Sequence, residues 1–328
     1  MVTRIATATG MAAVTAIALA AVAGCSSSSS SSSSAPSSAA ASASTSASSA
    51  SNPLSGGSGA SGSVVVGSAN FPESELLAEI YAIALQDKGV KATTKLNIGD
   101  REVYYPQMVK GAITIFPEYN GELLSVEVDK TSTAKTTAAV DAALTAKLPS
   151  TLEILNPAPA QDSDSVTVTA ATAAKDHLKT IADLAPYAKD WTFSAPSEFK
   201  TRPDGLPGLK ANYGLTFKGF DPLDESGPLT LSALTGGKVQ AADVFTTTPQ
   251  IITDHLVSLA DPKFNFAAQN VIPLVYKADA TPTITSILNE VSAKLTTSAL
   301  LQMDTAVITN KENYSTVATA FLQTIGIS

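Results

Sequence analysis

Short hydrophobic runs alternate with amphipathic segments from residue 64 onward in this 328-residue chain. Residues 64–67 form a β-branched run that is typical of a buried strand. Pro72 and Glu73 begin a predicted helix, whose apolar positions share one face and which Gly89 ends. The pattern continues with predicted strands at 91–98 and 112–116 around a short helix at 103–110. This β-α-β-α-β order predicts a parallel sheet with right-handed crossovers.

A second set of alternating elements follows a predicted surface helix at 131–147. Its predicted elements are strands at 166–170, 191–195, 215–220, 239–245 and 271–276, helices at 228–234 and 249–255, and a helical stretch over the last fifty residues. Two consecutive α/β units without a Gly-x-Gly-x-x-Gly turn indicate a two-lobed binding architecture. Ligands of such sheets bind beyond the carboxyl ends of the strands, so we expect the site in the cleft between the lobes.

The first 63 residues have a different character, because no Asp, Glu, Lys or Arg occurs between Arg4 and Glu73. Arg4 precedes an apolar run rich in Ala and Thr, which ends in small residues before Cys25, the only cysteine of the chain. This pattern resembles a bacterial lipoprotein signal and predicts a signal peptide over 1–24 with lipid attached to Cys25. The serine-rich stretch over 25–63 predicts a flexible linker. A transmembrane helix is the alternative, which the low Leu, Ile and Phe content disfavours.

Charge and composition exclude several classes of function. The net charge of −8 and the pI of about 4.8 argue against a nucleic-acid partner, which needs clustered basic residues. The two histidines, His177 and His255, lie far apart with no cysteine nearby, so no metal site and no cofactor is expected. Each histidine follows an aspartate on a predicted helix, where neighbouring side chains point apart, and no Gly-x-Ser-x-Gly turn is present. We therefore expect no catalytic residues and no enzyme.

Five segments together resemble, in the expected order, the substrate-binding proteins of osmoprotectant ABC importers. The segments are 64–73 (VVVGSANFPE), 101–106 (REVYYP), 116–121 (FPEYNG), 202–209 (RPDGLPGL) and 242–247 (ADVFTT). Members of this family bind glycine betaine, choline, carnitine and related quaternary amines. The resemblance implies an α/β fold of the type II periplasmic-binding-protein class, with two lobes joined by two crossover strands. Lobe 1 would comprise 64–160 with 272–328, and lobe 2 would comprise 161–271.

The same resemblance implies the partners and the location of the protein. It would be a monomer tethered by lipid to the extracytoplasmic face of the cell membrane. There it would deliver a small osmolyte to an ABC permease and its ATPase. Another amine or an amino-acid derivative as the ligand, or a surface lipoprotein that senses without transporting, are the alternatives that the sequence leaves open.

Aromatic residues are the first candidates for the site, because a trimethylammonium group is held by the faces of aromatic rings. Tyr119 stands at the cage position of the family motif, and Phe71 with its neighbour Asn70 follows the first strand. Tyr104 and Tyr105 are adjacent on a predicted helix, so one is expected to reach the cleft and the other to pack in the core. For Phe71 a role as a core residue before Pro72 is the alternative.

Two arginines are candidates for the anionic end of a ligand. Arg202 matches the family position that grips a carboxylate from the second lobe, for which a planar guanidinium is well suited. Its alternative is a surface ion pair with Asp204 or Glu198. Arg101 stands where the family has a small residue, and it either adds a second carboxylate contact or faces solvent.

The crossover into the second lobe departs from the family, because residues 161–165 lack the aromatic residue that other members carry there. Gln161 and Asp162 could instead hydrogen-bond a more polar cation. The segment after the later strand likewise offers hydroxyl groups, at Thr246 and Thr247, in place of a tyrosine. The sequence therefore predicts a thinner aromatic cage and leaves the exact amine open.

Overall fold

The computed structural model describes residues 63–327, so the predicted signal peptide, Cys25 and nearly all of the linker lie outside the described residues. Within this range ten strands form two five-stranded sheets. The strands are β1 (Ser63–Gly67), β2 (Lys91–Lys95), β3 (Ile115–Tyr119), β4 (Leu152–Ile154), β5 (Val166–Thr169), β6 (Thr192–Ala195), β7 (Gly219–Pro222), β8 (Ala241–Asp243), β9 (Leu256–Ser258) and β10 (Val271–Tyr276).

Eleven α-helices cover the sheets in the same range of residues. They are α1 (Pro72–Asp87), α2 (Arg101–Val109), α3 (Asn120–Glu122), α4 (Thr137–Lys147), α5 (Ala170–Asp176), α6 (Leu206–Tyr213), α7 (Pro228–Thr235), α8 (Gln250–Thr253), α9 (Pro282–Lys294), α10 (Thr297–Asp304) and α11 (Tyr314–Ile325). Two π-helical segments, Leu123–Val128 and Thr305–Thr309, extend α3 and α10. Short 3-10 helices occupy Ile181–Leu184, Ala188–Asp190, Ser197–Lys200 and Lys277–Asp279.

The two sheets share one plan. The first has the order β2-β1-β3-β10-β4, and the second has the order β7-β6-β8-β5-β9. In each sheet the first three strands run parallel and the fourth runs antiparallel to both of its neighbours. The parallel part agrees with the prediction from sequence, whereas the antiparallel strand was not predicted.

The antiparallel strands follow from the path of the chain between the lobes. Val271 begins β10 opposite Tyr119, the last residue of β3, and Val166 begins β5 opposite Asp243, the last residue of β8. Each of these strands therefore enters its sheet at the edge where the parallel strands end. A chain that arrives from the other lobe at that edge can only run back against the parallel strands.

Two extended segments, 155–165 and 259–270, connect the sheets. An antiparallel bridge joins Gln161 to Asn270, and the Asn270 side chain donates to the Ala158 carbonyl at 2.8 Å. The two crossings therefore lie side by side. The lobe boundaries at 160/161 and 271/272 stay predictions, and the strands of the first sheet all come from 63–154 and 271–276.

Each sheet has its own hydrophobic core. In the first lobe α1 lies between the sheet and the C-terminal helices α9 and α11, which explains why it is buried on more than the one face that the sequence predicts. Leu77, Tyr81 and Leu322 are fully buried there. In the second lobe Phe193 and Leu209 are fully buried in a separate core.

Several predicted elements differ from the observed ones in length or place. The helix predicted at 131–147 begins only at Thr137, where the Thr136 hydroxyl caps it. The strand predicted at 215–220 is β7, Gly219–Pro222. The three-residue strands β4 and β9 were not predicted, because a run that short carries no recognisable alternation.

Candidate ligand-binding site

A cavity lies between the lobes, at the carboxyl ends of the parallel strands. It has a volume of about 350 Å³, part of which is open to solvent. Its lining within residues 63–327 is Phe71, Arg101, Tyr119, Glu122, Asp162, Asp164, Arg202, Glu225, Phe245 and Gln269. Both lobes and the crossing segments contribute, which is the arrangement expected for a ligand enclosed by lobe closure.

Three aromatic rings form one wall of this cavity. The ring centroid of Phe71 lies 6.1 Å from that of Tyr119 and 5.4 Å from that of Phe245. Phe71 is positioned by the start of α1, where it has extended backbone angles just before Pro72. Tyr119 ends β3 and Phe245 follows β8, so the wall combines rings from both lobes.

Arg101 is buried at the first turn of α2 and pairs with acids of its own lobe. Its guanidinium donates to Glu118 at 3.1 Å and to Glu122 at 3.2 Å. The Tyr104 hydroxyl also donates to Glu118, at 2.7 Å. Of the two alternatives that the sequence left open for Arg101, exposure to solvent is wrong, since only 8% of this residue is exposed.

Arg202, in the second lobe, forms ion pairs with acidic residues of the first lobe. It lies 3.5 Å from Glu102 and 3.7 Å from Glu122, both in the first lobe, and 3.7 Å from Glu198 in its own lobe. Arg202 lies in a tight turn that brings Gly205 against the backbone of Phe199. The turn requires glycine there, because a Cβ atom at position 205 would lie 2.0 Å from the Phe199 carbonyl oxygen. The ion pair with Glu198 that the sequence offered as an alternative is present, and it joins a buried arginine to a half-buried glutamate rather than two surface groups.

Two buried donors that line the cavity have no partner in the described residues. They are the Nε of Arg202 and the side-chain nitrogen Nε2 of Gln269. The oxygen of the same Gln269 amide accepts from the Glu122 backbone at 3.0 Å, which fixes the direction of the amide. A buried donor without a partner is costly, so these atoms favour a ligand that brings an acceptor.

A polar network links the crossing segment to the end of the aromatic wall. One Asp162 oxygen accepts from the Thr247 backbone at 3.0 Å and from the Thr246 hydroxyl at 3.1 Å. The Thr247 hydroxyl donates to Glu73 at 2.6 Å, and the Tyr119 hydroxyl donates to the other Glu73 oxygen. Because Thr247 belongs to the second lobe and Glu73 to the first, this network joins the lobes beside the rings.

Acidic groups outnumber basic groups around the cavity. Burial and the neighbouring Asp204 raise the pKa of Glu122 to about 8, and burial together with Glu122 raises the pKa of Asp164 to about 7. Burial also raises the pKa of Glu225 to about 8 and holds that of Asp162 well above its usual range. Such shifts mark carboxyl groups that lack sufficient positive charge nearby.

These raised pKa values predict a loss of stability in alkaline solution. The folded chain keeps protons that the unfolded chain has already lost, so this contribution is complete below about pH 4 and disappears as the pH rises through about 7–8. We expect calorimetry to show a thermal midpoint several degrees lower at about pH 9 than at about pH 6, since 1 kcal/mol corresponds to about 2–4 °C. Glu225→Gln should flatten this slope, whereas Asp87→Asn, at an exposed position, should not. A midpoint that rises between these two pH values would contradict the prediction.

The structure brings together five of the ten predicted ligand-binding residues in the lining of the cavity. These are Phe71, Arg101, Tyr119, Asp162 and Arg202. Thr246 and Thr247 lie next to the cavity and bind Asp162 as described above. Tyr105 is buried in the core of the first lobe, and Tyr104 stacks on Phe116 at 3.8 Å, so neither tyrosine lines the cavity.

The remaining two predicted residues lie at the margins. Asn70 is exposed at the mouth of a groove between the lobes, and Gln161 is exposed on the crossing segment, where its backbone donates to the Thr297 hydroxyl at 3.1 Å. Sequence reasoning missed five lining residues, Glu122, Asp164, Glu225, Phe245 and Gln269. Phe245 had a visible signal, since it follows a predicted strand within a family segment. The three acids and the glutamine carry no such signal.

One group of carboxylates has the spacing to hold a metal ion. Asp100, Glu198 and Glu225 each place an oxygen within 4.8 Å of the others, in a groove between the lobes. All three are partly exposed, and exposed acids often cluster without an ion, so this spacing alone assigns no metal.

Among residues 63–327 we find no helix with the length and hydropathy that a membrane span requires.

Comparisons with known proteins agree with this architecture. The family described as the substrate binding domain of ABC-type glycine betaine transport system (OpuAC) matches residues 62–324. The glycine betaine-binding protein YehZ of Escherichia coli (strain K12) is 27% identical over 281 residues, which cover 81% of this chain and 92% of that protein.

Solved structures show the same two-lobed fold. One described as a glycine betaine/carnitine/choline ABC transporter superposes with a TM-score of 0.64 at 22% identity, covering 80% of this chain and 99% of that one. Lactococcal OpuAC in a closed conformation with glycine betaine gives a TM-score of 0.58 at 15% identity, with 80% and 96% coverage. The predicted fold class is therefore confirmed. The chain belongs to the family of substrate-binding domains of ABC-type glycine betaine transport systems.

Proposed function

We propose that this protein captures a small quaternary-ammonium osmolyte, of which glycine betaine is the best fit, and delivers it to an ABC permease. The observation that carries the proposal is the pairing of two features in one cavity. Three aromatic rings form one wall, and two buried donors without partners, Arg202 Nε and Gln269 Nε2, line the same space.

The rings suit the ammonium end of the ligand. A trimethylammonium group has no hydrogen to donate, and its charge is attracted to the negative face of an aromatic ring by about 0.5–2 kcal/mol per ring. Phe71, Tyr119 and Phe245 supply three such faces. The carboxyl of Asp162 lines the same cavity, and a cation beside it would lower its raised pKa and so favour its charged form.

The two donors suit the carboxylate end. A ligand carboxylate between Arg202 and Gln269 would give each donor the acceptor that it lacks. Arg202 belongs to the second lobe and Gln269 to a crossing segment, whereas Phe71 and Tyr119 of the ring wall belong to the first lobe, so a ligand held by both ends would bridge the lobes. Binding would therefore favour the closed arrangement over the open one, which is how a ligand shifts such a population.

Residues 1–63 support a proposed location. With a signal peptide over 1–24, lipid on Cys25 and a serine-rich tether, the binding domain would be held at the extracytoplasmic face of the membrane as a monomer, beside its permease and ATPase. Labelling with a radioactive fatty acid in the bacterium, with Cys25→Ser as the control, would test the lipid directly.

Ligand-dependent unfolding tests the proposed ligand class. Against glycine betaine, choline, carnitine, proline betaine, proline and a polyamine, we expect the quaternary amines to raise the thermal midpoint of the purified chain. A ligand at 100 times its dissociation constant stabilises by about 2.7 kcal/mol. Because proline and the polyamine lack a quaternary ammonium group, they should shift the midpoint much less.

A neutral isostere is the sharpest control. In 3,3-dimethylbutanol a carbon replaces the nitrogen of choline, so the shape is kept and the charge is removed. Binding through the ring faces requires that this alcohol shift the midpoint far less than choline does. Equal shifts from the two compounds, or no shift from any quaternary amine, would contradict the proposed site.

A further inference from the structure

A second cavity lies behind the aromatic wall, separated from the first by rings that line both. Phe71 and Phe245 are shared between the two cavities. The second one has a volume of about 270 Å³, part of which is open to solvent. Its walls come from the start of α1, the segments around 225–226 and 245–248 of the second lobe, and the end of α10 with the π-helical segment after it.

Seven of the eleven residues of this second lining carry a carboxyl or hydroxyl group. The acids are Glu73, Asp162, Glu225 and Asp304, and the hydroxyls belong to Ser226, Thr247 and Thr248. Among the described residues no Lys, Arg or His lines the cavity. The described lining therefore holds four carboxyl groups and no basic side chain, although Arg202 and Arg101 act on Glu225 from the first cavity.

Asp304 is the feature that points to a ligand. Only 1% of this residue is exposed, and within the described part of the chain neither of its carboxylate oxygens accepts a hydrogen bond, because the nearby Thr247 hydroxyl donates to Glu73 instead. The group beside it is another carboxyl, that of Glu73, within hydrogen-bonding reach. Two buried carboxyl groups this close need either a shared proton or a bound cation between them, because two bare carboxylates repel each other and a buried charge left unpaired is costly.

The polar groups near Asp304 make hydrogen bonds to other residues. Both Glu73 oxygens accept hydroxyl hydrogens, one from Tyr119 and one from Thr247 at 2.6 Å. Ser226 and Thr248 bond to each other at 2.7 Å. These hydroxyls keep lone pairs that can face a cation, and the one hydrogen that the Ser226–Thr248 pair leaves free makes no hydrogen bond to Asp304. A water molecule could donate to Asp304 but would leave the charge unbalanced.

We propose that the second cavity is a binding site for a small monovalent cation, such as sodium, potassium or ammonium, held by Asp304, Glu73 and the Thr247 hydroxyl. Hard cations of this kind prefer carboxylate and hydroxyl oxygens. A divalent ion fits less well, because the described residues bring three acidic oxygens within 4.8 Å of one another only at Asp100, Glu198 and Glu225. The site joins the lobes, since Thr247 and Glu73 belong to different ones.

Unfolding in different salts tests the proposal without any osmolyte. The full chain is heated at constant ionic strength and pH in chloride salts of sodium, potassium, ammonium or the bulky N-methyl-D-glucamine. We expect at least one small cation to raise the midpoint saturably, by about 3–6 °C at ten times its dissociation constant. Asp304→Asn should abolish the difference between salts, whereas Asp87→Asn, at an exposed position, should keep it.

A direct measurement on the unaltered protein covers the case in which the variant does not fold. Crystals soaked in rubidium or thallium(I) chloride should show an anomalous peak within about 3 Å of an Asp304 oxygen. Identical midpoints in all four salts, or no such peak, would overturn the proposal. A midpoint that follows pH but not the identity of the salt would overturn it in favour of a proton shared by Glu73 and Asp304. Because no osmolyte is present, these outcomes are independent of the proposed function.

Discussion

Replacing Arg101 with methionine should lower the free energy of unfolding by about 3–5 kcal/mol, the range for removing one partner of a buried ion pair. Arg101 is 8% exposed and pairs with Glu118, which is fully buried, and with Glu122. Methionine would fill much of the same volume but would leave Glu118 without its cation and Glu122 with only Arg202, 3.7 Å away. Urea denaturation followed by circular dichroism measures the change directly.

An exposed ion pair provides the matched control for Arg101. Lys147 pairs with Asp129 while 52% of its side chain is exposed, so Lys147→Met should cost no more than about 1 kcal/mol. Adding Glu118→Gln to Arg101→Met should recover part of the loss, because the unpaired charge is then removed. If Arg101→Met costs as little as Lys147→Met, the buried pairs do not stabilise the fold in the way their geometry indicates.

Tyr119→Ala should weaken the binding of a quaternary amine tenfold or more, which is about 1.4 kcal/mol. The substitution removes one of three ring faces and leaves Phe71 without the neighbour whose centroid lies 6.1 Å away. Titration calorimetry with glycine betaine gives the affinity of each variant. Tyr119→Phe separates the two roles of the side chain, because it keeps the ring and removes only the hydroxyl that donates to Glu73.

The two tyrosine variants should therefore behave differently. We expect Tyr119→Phe to retain most of the affinity, whereas Tyr119→Ala loses it. Tyr105→Ala is the control, since Tyr105 is buried in the core of the first lobe and does not line the cavity. It should lower stability and leave affinity unchanged. Equal affinities for Tyr119→Ala and the unaltered protein would remove Tyr119 from the site.

The sequence predicted the site best where a residue directly follows a strand within a recognisable segment. Phe71 follows β1, Tyr119 ends β3, and the topology of parallel strands brings such positions to one edge. Arg202 was found through its segment, although its burial was not. Phe245 was passed over in favour of the hydroxyls after it, even though it occupies the same kind of position as Phe71.

Other features depend on folding and leave no local pattern. Glu122, Asp164 and Glu225 are separated by long stretches of chain, and their shared cavity exists only once the two lobes meet. The helical period predicted that one of Tyr104 and Tyr105 would face the cleft. Instead the helix lies against the core with both rings, because Tyr104 stacks on Phe116 and Tyr105 packs in the same cluster.

The place of β10 in the first sheet has a consequence for biosynthesis. Val271–Tyr276 lies between β3 and β4, yet it is made after every strand of the second sheet. The second sheet draws on one continuous stretch, from Val166 to Ser258, and can form before the last residues of the chain have emerged. The first sheet stays incomplete between β3 and its edge strand β4 until β10 is available, and α1 stays uncovered until α11 is available. Until β10 and α11 are available, the N-terminal elements β1 and α1 remain accessible to proteases and chaperones.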